Sequence, residues 1–323
     1  MHHLVIGEGQ IGRAIIDRAL AEGDSVTVLR RSSAAPEPGV RRVTGDLLDP
    51  TVLREALVGA DAIHACFHAP YDARIWARDL PPRELAVLDA AAAKDIPVTF
   101  PESLYGFQGA ALNLAEGARL APRDLKGEVR EMLLAQRRAH PARTLSLVAA
   151  DLLGPTAVGT NAAVVCAMLI ERIAADTRPI VVGDPAAAHS LTFIPDLAVA
   201  MLHAVRHAAR LAPEGDAVLH APSAPARSQS ELITAASALL ATKARRPLVI
   251  PRIALRALAP LSTFARELHG ISGLWYSPSV LQPGLLTTQE GLQPTSWEDA
   301  LEKTTQAAGA ARAEARGARA AAA

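Results

Sequence analysis

Cysteine is nearly missing from this chain: Cys66 and Cys166 are the only two in 323 residues. Two cysteines so far apart make no disulfide framework, and no metal-ligand spacing accompanies them, so no metal site is expected. Aromatics are scarce at 3%, which leaves Ala, Val, Leu and Ile to build the core. Lysine is scarce too; Lys94, Lys126, Lys243 and Lys303 stand among many arginines. The 33 basic and 33 acidic residues cancel to a formal net charge of zero. That removes the basic excess that attracts nucleic acid or an anionic membrane, so neither is an expected partner. No apolar run reaches the roughly 18 residues of a membrane span. The first apolar run lies within a few residues of Met1, where a signal peptide has no room, so a cytoplasmic location is expected.

What is present begins with Leu4-Val5-Ile6, then Gly7, Gly9 and Gly12 in G-x-G-x-x-G spacing, then Ile11, Ile15, Ile16, Ala19 and Leu20 at helical spacing. A strand feeding a glycine turn feeding a helix is what a dinucleotide pyrophosphate needs. The first glycine makes the tight turn, the second admits the phosphates, and the third lets helix and strand pack. Gly7, Gly9, Gln10, Ile11 and Gly12 are the expected cofactor turn. Ser25 to Arg30 reads as the next strand. An acid about 20 residues beyond the glycines would hold the ribose hydroxyls of NAD. Arg30-Arg31-Ser32-Ser33 stands there instead, and two guanidiniums suit a 2′-phosphate, so NADP is the expected cofactor.

Strands and helices then alternate. Strands are expected at 40–45, 61–67, 97–100 and 144–149, with helices at 51–58, 70–93 and 122–139 between them. Alternation of this kind predicts an α/β fold, a Rossmann-type doubly wound parallel sheet. Beyond Gly154-Pro155 the alternation fades. Helices are expected at 162–174, 196–209, 230–241 and 253–269, with short strands at 180–182 and 217–220. The expected organisation is a cofactor domain over 1–155 with later returns near 190–220, and a smaller, mainly helical substrate-binding part over 156–305. Residues 306–323 are almost all Ala, Gly, Arg and Glu with no apolar stripe, so a frayed helix or disordered tail is expected.

In chain order the motifs resemble the extended short-chain dehydrogenase/reductases, the NAD-dependent epimerase/dehydratase group. The matching stretches are the glycine turn, Gly45-Asp46-Leu47, Asp61-Ala-Ile-His-Ala-Cys66, Leu104-Tyr105-Gly106, Asp151-Leu-Leu-Gly-Pro155 and Phe193-Ile-Pro-Asp196. The resemblance implies that Asp46 and Leu47 line the adenine and that Cys66, Phe67 and His68 lie along the cofactor. It also implies that the helices near 83–94 and 122–139 are places where relatives pair, which makes a homodimer one expected assembly. The departures concern catalysis. Pro101 stands where the family carries a hydroxyl, with Glu102 and Ser103 beside it. At the family's Tyr-x-x-x-Lys position the chain reads Lys126-Gly-Glu-Val-Arg130.

In the usual enzyme the tyrosine moves a proton while hydride moves to or from nicotinamide. Arg130 retains a charge for ribose hydroxyls but holds its proton too tightly to titrate. Lys126 precedes it by one turn on the same face, where a like charge and burial would lower its pKa. Lys126 is therefore the expected proton donor. Tyr105 is the second acid, Ser103 a hydrogen-bond donor, and Tyr71 and Trp76 a pocket wall. Asp151 and Asp196 read as caps. The expected activity is an NADP-dependent oxidoreductase acting on a small organic carbonyl or enone. Two alternatives stay open: a nucleotide-sugar-type epimerase or dehydratase, and a non-catalytic NADP-binding sensor.

Overall fold

The computed structural model describes residues 1–160 and 162–321. Its centre is a seven-stranded, all-parallel sheet. β1 (His2–Ile6), β2 (Ser25–Arg30), β3 (Val40–Thr44), β4 (Ala62–Ala65), β5 (Val98–Ser103) and β6 (Thr144–Ala149) stand in the order β3-β2-β1-β4-β5-β6, and Asp216–His220 closes the edge beside β6. The doubly wound order expected from the alternation is present, with its reversal between β1 and β4. Side chains along β1 alternate. Leu4 and Ile6 pack against α2 (Pro50–Ala56) and α3 (Ala73–Lys94), while Val5 joins the larger core under α1 (Gln10–Ala21) and the helix Ile194–Arg206. Both faces are covered, so apolar side chains occur on both sides of β1.

Pairing between β4 and β5 stops at His64–Thr99, although β5 continues beside β6 to Ser103. Pro101 has no N–H with which to extend a ladder toward β4. The strand ends therefore part at the carboxyl edge of the sheet, beside the reversal in strand order.

The C-terminal part is assembled from short pairs. Asp151–Leu153 runs parallel to Leu191–Phe193, Ile180–Val182 parallel to Leu248–Ile250, and Ala188–His189 antiparallel to Arg227–Ser228. Two expectations are corrected here. Residues 253–269 form two helices, Arg252–Leu258 and Thr263–Gly270, because Pro260 falls between them and cannot continue a helix. Residues 162–174 are not one regular helix; a π-type turn, Cys166–Ile170, precedes the short helix Glu171–Ala174. Of the two states expected for the tail, the helix is present: it is helical as far as Ala321, as part of a helix that starts at Trp297. Trp297, Ala300, Leu301, Thr304 and Ala308 bury its first turns, and the Ala-rich remainder has high helix propensity. Residues 322 and 323 lie outside the described residues.

α4 (Leu125–Ala139) turns charged residues to the interior. Leu125 and Met132 point outward, at 41% and 42% exposure, while Lys126, Arg130 and Arg137 point inward. These cations lie four and eleven residues apart, which puts them on one face of a helix. Carboxylates from other elements meet them there, as described next.

Candidate active site

At the carboxyl edge of the sheet lies a cavity of about 560 Å³. That size suits a small-molecule site. Its floor is the glycine turn, represented by Gly9, Gln10 and Ile11, and the end of β4 with Cys66, Phe67 and His68. Gly7 turns at φ +96°, and a Cβ there would meet the Cys66 carbonyl and the Phe67 backbone at 2.9 Å. A Cβ on Gly12 would lie 2.0 Å from the Gly7 carbonyl, so only glycine lets α1 approach the turn. Around Gly9, by contrast, nothing lies within 4 Å of the position a Cβ would take. Gly9 caps α1 without a side-chain acceptor. The turn therefore leaves room and free N–H groups at a helix N-terminus, the combination a phosphate takes.

Arg30 and Arg31, at the end of β2, do not line the cavity, nor do Asp46 and Leu47 after β3. Arg30 is held by Glu8 at 2.6 Å, and Glu8 also receives Arg42 at 2.9 Å and Arg13 at 3.2 Å. Glu37 closes this network through Arg13 and Arg42. Nε and Nη1 of Arg42 are buried without hydrogen-bond partners. Arg31 is exposed and makes no ion pair among the described residues. Asp46 accepts from Arg83 at 2.8 Å and from the Leu48 N–H. Reading the β2 end alone, the sequence analysis missed Glu8, the acid inside the glycine motif that faces those arginines.

The upper wall is aromatic. Trp76 stacks on Tyr105 at 6.0 Å between centroids and meets Tyr71 edge-on at 5.8 Å. The Tyr71 and Tyr105 hydroxyls lie 3.5 Å apart. Phe264, Leu274 and Trp275 complete this wall from the C-terminal part. Ser103 also lines the cavity; its Oγ accepts from the Tyr105 N–H at 3.4 Å. Burial raises the Tyr105 phenol to about 12, so it is protonated at neutral pH.

Lys126 departs from its expected place. It is fully buried and is not among the residues lining the cavity. Its Nζ donates to the Glu267 carbonyl at 2.7 Å and to Glu267 Oε2 at 2.9 Å, and sits 4.3 Å from the centre of the Tyr71 ring. It thus stands behind the aromatic wall. Its pKa is lowered as expected, chiefly by burial, with Glu267 opposing; the like charge beside it is Arg266 rather than the expected Arg130. Arg130 does line the cavity. It donates to His68 Nε2 at 2.8 Å, lies over Trp76 at 5.1 Å and approaches Glu102 at 3.5 Å, while its buried Nε lacks a hydrogen bond. Arg137, one face further along α4, holds Glu84 in a bidentate pair and reaches Glu102 and Ser146 at 3.0 Å each. Spacing on α4 carried the signal for Arg137; nothing local to Glu84 or Glu267 marked them as partners.

His68 opens onto the cavity and donates through Nδ1 to the Ala69 carbonyl. Surrounding protein and the Arg130 charge push its pKa down to about 4. Asp151, read from sequence as a cap, does accept from the Val164 and Val165 N–H groups, yet it also lines the cavity. Its carboxyl is raised by burial to about 6. Asp196 caps no turn of its own helix; it binds Thr295 through N–H and Oγ1. Among the described residues no group of three or more His, Cys, Asp or Glu is placed to hold a metal ion.

Two opposed pH dependences follow. As pH falls from 6.5 toward 4, an unfolded His68 takes up a proton that the folded one refuses, so stability is lost. As pH falls from about 6 toward 3.8, folded Asp151 binds a proton that the unfolded chain does not, so stability is gained. Asp151→Asn is expected to steepen acid destabilisation over this range, and His68→Gln to flatten it, in urea unfolding followed against pH. Identical slopes in both variants and the parent would refute the assignment.

Comparison with known proteins adds an independent line. Residues 7–107 match the NAD(P)H-binding family. That NAD(P)H-binding segment contains the glycine turn, the end of β4 and Tyr105. No curated protein sequence matches the chain. Among solved structures, the chain is similar to a UDP-glucose 4-epimerase from Thermotoga maritima with UDP-glucose. The TM-score is 0.72 at 16% identity, over 95% of this chain and 98% of that one. It is similar also to a Bordetella bronchiseptica enzyme in complex with NAD and UDP, at TM-score 0.71 and 15% identity over 94% of each chain. A Bacillus cereus UDP-N-acetylglucosamine 4-epimerase gives TM-score 0.71 at 12% identity, over 95% of this chain and 96% of that one. At such identities the likeness shows a shared fold: the Rossmann-type sheet with its C-terminal part. Among the described residues no helix is long and apolar enough to cross a membrane.

Proposed function

We propose that this chain is an NADP-dependent oxidoreductase of the extended short-chain dehydrogenase/reductase type, acting on a small, largely apolar carbonyl or enone. One observation carries the reading: the open glycine turn and the aromatic wall share a single cavity. The turn fits a dinucleotide phosphate, because Gly9 leaves a cradle that any side chain would fill. NADP, when bound, supplies or accepts the hydride. Gly9, Gln10 and Ile11 would hold its pyrophosphate, Cys66, Phe67 and His68 would flank it, and Arg130, which lines the cavity, would offer its guanidinium to a ribose hydroxyl. Tyr105 donates the proton to the substrate oxygen, with the Tyr71 hydroxyl behind it. Lys126 acts through the rings it supports and through its charge.

An epimerase or dehydratase acting on a nucleotide sugar is the second reading, favoured by fold likeness over nearly the whole chain. Against it, the cavity residues from the C-terminal part are Thr160, Ala162, Val164, His189, Ser190, Phe264, Leu274, Trp275 and Ser279. None carries a cation for a sugar-nucleotide diphosphate. NADPH oxidation with a panel of aromatic aldehydes and enones tests the first reading. UDP-glucose and UDP-N-acetylglucosamine, run beside it, test the second. NADPH binding without turnover of either set would favour the sensor.

NADPH is expected to bind more tightly than NADH, because exposed Arg31 stands just beyond the end of β2 beside Arg30. Arg30 contributes once a 2′-phosphate competes with Glu8 for it. Arg30→Ala should narrow the preference by roughly 1.5–3 kcal/mol, the scale of a charge-assisted hydrogen bond. Fluorescence titration checks it, and equal affinities in the parent would refute it.

A further inference from the structure

A zero net charge conceals a strongly one-sided segment. From Leu232 to Arg266 there is no Asp or Glu, while Lys243, Arg245, Arg246, Arg252, Arg256 and Arg266 are all cationic. Arg245 pairs with Asp176, and Arg266 with Asp72 and Glu267. Lys243, Arg246, Arg252 and Arg256 are exposed and make no ion pair among the described residues. The same segment exposes large apolar side chains: Leu248, Val249, Ile253, Leu258, Leu261 and Phe264. Ile253 is 76% exposed and Leu261 85%. Ile253 and Leu258 stand on the first of the two short helices, Leu261 in the turn after Pro260 and Phe264 on the second. Phe264 is both exposed and part of the cavity wall, so this surface adjoins the cavity.

Protruding aliphatics ringed by unpaired cations form the pattern of a segment that lies on an anionic bilayer. Apolar groups enter the acyl boundary and cations meet the headgroups. A second copy of the chain fits poorly, because a two-fold contact on this face would set arginine against arginine. We infer that residues 243–264 dock the protein on an anionic lipid surface, with Ile253, Leu261 and Phe264 inserted and the cavity opening toward the membrane. The docking requires nothing of the chemistry inside the cavity. It also departs from the expectation, drawn from net charge alone, that no membrane takes part.

Flotation of the full chain with vesicles tests this. Phosphatidylcholine vesicles containing phosphatidylglycerol should carry the protein upward, phosphatidylcholine alone much less, and added salt should weaken the effect. Arg252→Gln and Arg256→Gln should each reduce partitioning about fivefold. Ile253→Asp with Leu261→Asp should abolish it while NADPH binding and circular dichroism stay as in the parent. Absence of flotation overturns the inference, as does flotation that these variants leave unchanged. A dimer in light scattering that Leu261→Asp dissociates would assign the face to a second copy. Retention on polyglutamate that ignores Ile253→Asp and Leu261→Asp would assign it to an acidic protein.

Discussion

Tyr105→Phe is expected to lower carbonyl turnover by roughly 10²–10⁴-fold, the usual contribution of a positioned acid or base. The phenol lines the cavity, faces the Tyr71 hydroxyl at 3.5 Å, and keeps its proton at neutral pH because burial raises it to about 12. It is a donor suited to an oxygen that becomes strongly basic as hydride arrives. Phenylalanine keeps the ring that stacks on Trp76 and removes only the proton. NADPH affinity should therefore stay near the parent value, so the loss falls on the chemical step. Parental turnover in Tyr105→Phe would reduce the residue to packing, and Asp151 would become the acid to test.

Lys126→Met is expected to cost stability before anything else, by about 3 kcal/mol in urea unfolding. Breaking a buried pair leaves the other charge without its partner. Here that charge is Glu267, itself 5% exposed. The cost sits at the lower end of such losses because Arg266 still faces the carboxylate at 3.2 Å. Lys126→Arg should not restore stability, since a planar guanidinium does not fit the place where one ammonium meets both the carbonyl and Oε2 of Glu267. Lys126→Met with Glu267→Gln should recover much of the loss, because no unpaired charge then remains buried. If the single variant is as stable as the parent, the pair contributes nothing and the helix Thr263–Gly270 is held by its apolar contacts.

Legibility in the sequence followed the range of each signal. The glycine turn was legible because its causes are local: the tight turn at Gly7 and the close approach at Gly12 act within six residues. The sheet was legible because short runs of branched apolar residues, such as Leu4, Val5 and Ile6 of β1 and Val26, Val28 and Leu29 of β2, alternate with helical stretches. The tail was left between a frayed helix and disorder because absence of an apolar stripe hid the few residues, Ala300, Leu301 and Ala308, that dock the helix it continues.

On α4 the sequence by itself determined that Lys126 and Arg130 share a face and that Arg137 continues it, since 3.6 residues per turn allow nothing else. Whether that face points to water or inward was not local information. The family resemblance set Lys126 and Arg130 toward the cofactor, but the pattern of α4 itself, with apolar Leu125 and Met132 on it, does not fix which face is buried. Glu84 comes from α3, Glu102 from β5 and Glu267 from a helix more than a hundred residues away, and only the folded chain brings them together. Desolvating three cations is costly unless carboxylates arrive with them. The tertiary structure supplies those carboxylates, and so decided that α4 turns its charges inward, with Lys126 behind the aromatic wall and Arg130 at the cavity.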